Sequence, residues 1–253
     1  MPLSRELVAF GAAFLAGVLN AVAGGGTLVS FPVLVWIGLP SITANATSAV
    51  ALWPGSLGAM WGYRRELRTA EPWVYWLIAP SLAGGIGGAV LLRLTPVPTF
   101  DRLVPGLILF ATCLFMAQEP IQRRFNLSGH PHGRGAWLAG VLTFQLLVSL
   151  YGGYFGAGMG ILMLAALAVV GLSDIHQMNG VKNLLALGIN GVAALYFIWM
   201  RMVSWPDVGV MALGAVLGGV SGAGIARWLG RATVRRVIIG IGLTMTLVLM
   251  FRR

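Results

Sequence analysis

Apolar runs of membrane-spanning length recur from one end of the chain to the other, near residues 6–39, 44–63, 72–93, 101–118, 138–172, 177–200, 206–227 and 233–251. The longest polar gap, QEPIQRRFNLSGHPHGRG at residues 118 to 135, is too short for a soluble domain. Helices this apolar bury themselves in lipid, so the pattern predicts an all-α, polytopic integral membrane protein. The first run is unusual. Its 33 residues, 7 to 39, would form a straight helix of about 50 Å against a hydrocarbon core of about 30 Å. At its centre stands NAVAGGGT, and glycines in a helix interior cost about 1 kcal/mol each relative to alanine. A break at Gly24, Gly25 and Gly26 is therefore expected, beside Asn20 and Thr27.

The break recurs. Sliding the chain against itself by 134 residues aligns, without a gap, Pro72 with Pro206, Gly84 with Gly218, Gly88 with Gly222 and Arg93 with Arg227. Asn45 falls on Asn179, and Gly24 and Gly26 fall on Gly158 and Gly160 within YGGYFGAGMG. Duplication with helix interruptions in matching places marks secondary transporters and points to their binding sites. Irregular backbone at membrane depth is tolerated inside protein or beside a wet cavity. The GGIGG and GGVSG clusters read instead as sites of close helix packing. The expected organisation is a first membrane repeat at 1–118, a polar connection at 119–135 and a second repeat at 136–253. Each repeat opens with a glycine-broken helix. If that segment crosses once, the chain has eight spans and parallel repeats; if its halves each cross, or the break is re-entrant, both the count and the relative orientation change, so eight to ten segments are expected. The N-terminal run has the look of a signal peptide, but its counterpart in the second repeat argues that it is retained.

Composition narrows the function. Hydrophobic residues make up 58% and charged ones 9%, with mean hydropathy +0.86. The net charge of +10 comes from arginines at segment ends, which suits snorkelling and topology rather than nucleic-acid binding. Ten basic residues fall on one side and six on the other in both span models, which leaves orientation open. A single cysteine, Cys113, excludes disulfides and thiolate metal sites, and no cofactor is expected.

Polar residues inside the membrane carry the candidate chemistry. At 100° per residue Asn179, Asn183 and Asn190 form one stripe, flanked by Lys182 and His176. Asn45 and Ser56 take the matching stripe of the first repeat, with Ser48 where Lys182 stands. Such groups face protein or cavity, as interhelical glue, helix caps or ligands. Lys182 is the only lysine, and an intramembrane cation costs on the order of 3 kcal/mol. No carboxylate lies on its helix within reach, since Asp174 is two turns away. Snorkelling to an interface is the bland reading. The other is an anion site formed by Lys182, Asn179, Asn183, Asn190, Asn45, Ser48, Thr27 and Asn20, helped by helix N-termini at Thr27 and Ile161. All seven acids lie at or near segment ends, which argues against cation transport and leaves His176 or Lys182 for any proton coupling.

The blocks NAVAGGGTLVSFPVLVWIGLP, NATSAVALWPGSLGAMWGYRREL, GYFGAGMGILML and MNGVKNLLALGINGVAALYF resemble the TauE/SafE sulfite-exporter family, also called sulfonate uptake permeases, over essentially the whole chain. The resemblance implies a multi-pass permease of the bacterial inner membrane for sulfite, sulfonates or related anions, and carries no residue-level mechanism. Export of an anion would be favoured by an inside-negative potential. A non-transporting membrane scaffold is the alternative function. The GVSG of residues 219 to 222 matches an intramembrane serine protease motif, but all three histidines precede it, so an enzyme is not expected. Partners are a small anionic substrate and the lipid bilayer; homo-oligomerisation is left open.

Overall fold

The structure is a computed structural model, and it describes residues 2–23, 25–62, 67, 72–125, 134–169, 172, 175–229 and 231–251. Ten α-helices stand among the described residues: α1 (Pro2–Ala23), α2 (Thr27–Trp36), α3 (Ser41–Gly62), α4 (Ile78–Leu94, entered through a 3₁₀ turn Pro72–Leu77) and α5 (Val97–Phe125). Then follow α6 (Arg134–Tyr154), α7 (Met159–Val169), α8 (Ile175–Trp199), α9 (Trp205–Leu229) and α10 (Arg231–Phe251). The 134-residue offset maps α1–α5 onto α6–α10. Val74–Leu94, Val97–Ala117 and Gln177–Trp199 are long and apolar enough to cross a membrane, and five shorter apolar helices accompany them.

The glycine break turns the chain back on itself. A Cβ at Gly26 would lie 2.6 Å from the Ala16 carbonyl oxygen, whereas in a continuous helix these residues stand about 15 Å apart. The Gly26 N–H donates to Asn20 Oδ1 at 3.3 Å, closing the turn. Short α2 then pairs with α3 through Ser30 and Ser48, whose hydroxyls are 2.6 Å apart. The pairing makes α2 and α3 antiparallel, so α1 and α3 run the same way. In the second repeat Gly156 and Gly158 hold φ of +78° and +77°, a left-handed backbone that side chains with a Cβ rarely adopt. The break is thus a helical hairpin.

Contacts between helix ends give the direction of each element. Arg5 at the start of α1 pairs with Asp207 at the start of α9, and Ser204 N, just before α9, donates to Thr47 Oγ1 near the start of α3. At the same end lie the finishing turns of α4, α6 and α8: Tyr154 accepts from Asn45 through its carbonyl and reaches Thr95 through its hydroxyl, while Arg93 donates to Tyr196. Starts of α1, α3 and α9 therefore share one face, here termed the terminal face, with ends of α4, α6 and α8. Helix α6 runs opposite to its repeat mate α1. The two sets of five helices are inverted.

The sets interlock rather than standing side by side. Helix α1 packs on α9, and α6 packs on α4, each first helix lying against the fourth of the other set. Glycine makes these contacts close: a Cβ at Gly218 would land on the Phe14 carbonyl oxygen, and one at Gly84 would lie 2.6 Å from the Leu146 carbonyl oxygen. This is the small-residue packing expected of GGIGG and GGVSG, where backbone proximity replaces the hydrophobic drive that lipid cannot supply. A buried polar cluster reinforces one interface, with Gln145 Nε2 donating to Ser81 Oγ at 2.8 Å and Ser149 Oγ donating to the Gln145 carbonyl at 2.6 Å.

Candidate functional site

Two broken hairpins meeting in an inverted bundle enclose a cavity of about 40 Å³. Its wall combines Asn20 and Thr27 from the first break, Asn45 and Trp53 from α3, Gly153 and Gly156 from the second break, and Asn190 from α8. A water needs about 10–15 Å³ on this measure, so there is room for about three waters, the scale of a small oxyanion. Both repeats contribute to the wall. Asn45 is 3% exposed and donates from Nδ2 to the Tyr154 carbonyl at 2.9 Å, an acceptor left over where α6 ends. Trp53 donates from Nε1 to the Leu187 carbonyl at 3.2 Å, and its ring rests on Gly191.

Four of the eight residues expected from sequence, Asn20, Thr27, Asn45 and Asn190, line this cavity; the other four do not. Ser48 is fully buried against Ser30, which also donates to the Gly26 carbonyl at 3.2 Å, so it braces the first hairpin. Lys182, Asn179 and Asn183 lie on the same helix as Asn190 but nearer its start. Eight residues separate Lys182 from Asn190, about 12 Å along the axis. The Lys182 ammonium donates to Asn179 Oδ1 at 3.2 Å, and its Cδ would lie 3.3 Å from a Cβ on Gly160. It therefore reaches the first turn of α7, whose first residue, Met159, is part of the cavity wall. As a residue Lys182 is half-buried, about two turns into α8. The side chain of His176, together with Glu66, Glu71 and Asp174, lies outside the described residues. Asn45 is the fifth residue of α3 and does not cap it, and α7 begins at Met159 rather than Ile161.

Sequence reasoning missed Trp53, Phe155 and Phe197 in the wall. A tryptophan in an apolar run carries no periodic signal. The one clue was its partner, since Trp53 and Leu187 occupy the same position in the two repeats.

An inverted helical bundle with broken hairpins around a polar cavity defines a multi-pass membrane transporter. The model of the family Sulfite exporter TauE/SafE matches residues 9–249, and the chain belongs to that family. It is similar to a probable membrane transporter protein of Haemophilus influenzae, 26% identical over 97% of this chain and 95% of that protein. It is also similar to the probable membrane transporter protein ORF9 of Sinorhizobium sp, at 24% identity over 94% of this chain and 89% of that one. The probable membrane transporter protein YfcA of Escherichia coli K12 is 26% identical over 96% of this chain and 89% of its own. No solved structure matches. The family is one of transporters, and the chain is not an enzyme.

Proposed function

We propose that the protein is a permease of the bacterial inner membrane that passes a small sulfur-containing oxyanion or organic anion, such as sulfite or a sulfonate, outward down the membrane potential. The observation that carries the reading is the wall of the cavity. Asn20, Thr27, Asn45 and Asn190 bring amide and hydroxyl donors from both repeats to one point. Amides and hydroxyls turned toward an anion replace its hydration without fixing it by a full countercharge. Each hydrogen bond to a charged group is worth about 1.5–3 kcal/mol, enough for recognition and still compatible with release.

Lys182 acts on this site from a distance. Taking the axial rise of about 12 Å from Lys182 to Asn190 as an upper scale for the separation, and an effective dielectric of about 20, a unit positive charge lowers an anion's energy by roughly 1.4 kcal/mol. That is about tenfold in occupancy. The ammonium lies between the cavity and the face opposite the terminal one, where it favours entry of anions and opposes cations.

Residues 1–118 and 136–253 are two inverted repeats, each of five membrane segments of which the second is the short arm of the hairpin; α5 runs on through Phe125 into the connection 119–135. Five is odd, and an odd number of passes inverts the next copy. Exchange between two equivalent packings of the repeats would carry the cavity from one face to the other.

The experiment is counterflow of sulfite, sulfate, thiosulfate, sulfoacetate and taurine in proteoliposomes of the purified chain. Exchange of at least one sulfur oxyanion or sulfonate is expected, faster than that of taurine, whose added ammonium opposes Lys182. Exchange of none would favour a non-transporting scaffold.

A further inference from the structure

Inverted repeats set corresponding residues between the cavity and each face, so any route to one face has a counterpart to the other. The two sides are not alike. On the terminal-face side Phe31 meets Phe155 edge-on at 5.5 Å between ring centroids and Phe100 at 6.3 Å, while Phe100 meets Tyr154 at 5.7 Å. All four rings are buried, Phe31 and Phe100 completely. The positions that correspond to them in the other repeat hold Ala165, Val234, Asn20 and Ala21, with no ring among them. Burial follows the same asymmetry. Tyr154 is 8% exposed and its mate Asn20 is half-buried; Ser48 is fully buried and its mate Lys182 is half-buried.

We infer that the Phe31, Phe100, Tyr154 and Phe155 cluster is the gate on the terminal-face route, closed in this structure, and that the cavity communicates with the opposite face past Asn20 and Lys182. Aromatic rings suit a gate because edge-on pairs add only about 0.5–1.5 kcal/mol each beyond burial, so a few can part on the time of a conformational change. The Asn45 amide on the Tyr154 carbonyl is the latch. It joins α3 of one repeat to the end of α6 in the other, across the seam that must open. Phe155 also forms part of the cavity wall, so the gate stands directly at the site.

The reagent is itself an organic sulfonate, but the test reads covalent labelling of a thiol rather than flux, so its failure is separate from failure of the transport reading. In a Cys113→Ser background, Ala49→Cys places one thiol in the cavity wall. Membrane-impermeant sulfonatoethyl methanethiosulfonate is applied to sealed vesicles of either orientation, and modification is read by mass. With the rings intact, modification is expected from the opposite face at least tenfold faster than from the terminal face. Phe155→Ala or Phe31→Ala is expected to bring the terminal-face rate to within about twofold of the other; Phe155→Leu serves if the alanine variants fail to accumulate. Equal rates from both faces in the parent, no reaction from the opposite face, or ring variants without effect would each overturn the gate.

Discussion

Trp53 and Leu187 stand at the same position in the two repeats, and the indole of one donates to the carbonyl of the other at 3.2 Å. A residue can touch its own repeat mate only where the axis relating the copies passes between them. The contact therefore marks the pseudo-two-fold axis at the crossing of α3 and α8. The cavity lies beside it, which explains why both repeats line the wall.

Removing the indole donor while keeping an aromatic ring tests that crossing. Trp53→Phe is expected to cost about 1 kcal/mol of stability, the net worth of one hydrogen bond. Gly191→Leu, which drives a side chain into the Trp53 ring, is expected to cost about 1–3 kcal/mol. Thermal unfolding of the purified protein in one detergent measures both. An unchanged Tm for Gly191→Leu would mean that the ring does not rest there.

Asn190→Leu removes an amide from the cavity wall without touching either hairpin. Loss of one hydrogen bond to an anion, at about 1.5–3 kcal/mol, is expected to weaken substrate binding by roughly 10- to 150-fold. Competition in the counterflow assay gives the affinity. Ser48→Ala is the contrast: it loses the Ser30 contact and some stability but is expected to keep substrate affinity within about threefold, one hydrogen bond at most being lost outside the wall.

Lys182→Met is expected to weaken anion binding about tenfold and Lys182→Arg to leave it nearly unchanged, because the contribution is long-range charge rather than contact. A cavity ligand would respond differently, with both substitutions abolishing transport. Affinities of the two variants at equal membrane abundance separate these roles.

Much of this arrangement was legible in the sequence, and what was not has identifiable causes. The duplication, both breaks and four cavity residues followed from the 134-residue offset and the placement of Asn20, Thr27, Asn45 and Asn190. Lys182 was grouped with Asn190 because a helical projection keeps angle and discards depth. Lys182 flanks the stripe that holds Asn190, yet it stands about 12 Å away along the axis. Inversion was left open because it depends on whether the chain returns after Gly26, and the Gly26 contact with Ala16 is a tertiary fact. Ser48 was read as the counterpart of Lys182, but its partner Ser30 lies across a hairpin that sequence spacing does not reveal.

The ion pair at the terminal face is a brace outside the cavity wall. Arg5 Nη2 contacts both carboxylate oxygens of Asp207, at 3.1 and 3.3 Å, and Ser204 Oγ donates to the same group at 2.6 Å. Arg5 is half exposed, so Arg5→Ala is expected to cost under about 1 kcal/mol. Asp207→Ala strands both donors and loosens the start of α9, and is expected to cost about 1–3 kcal/mol. Unfolding of the two variants in detergent tests the order; an equal loss would mean that Ser204 adds nothing.

Sulfite efflux from proteoliposomes under an imposed potassium diffusion potential is the most direct measurement. An electrogenic anion path gains about 2.3 kcal/mol per charge for each 100 mV of inside-negative potential. Efflux should accelerate as the interior is made more negative and slow when the sign is reversed, with the Asn190→Leu protein far behind at every voltage. No efflux above that of empty liposomes, or efflux indifferent to the potential, would contradict a conductive anion path through the cavity.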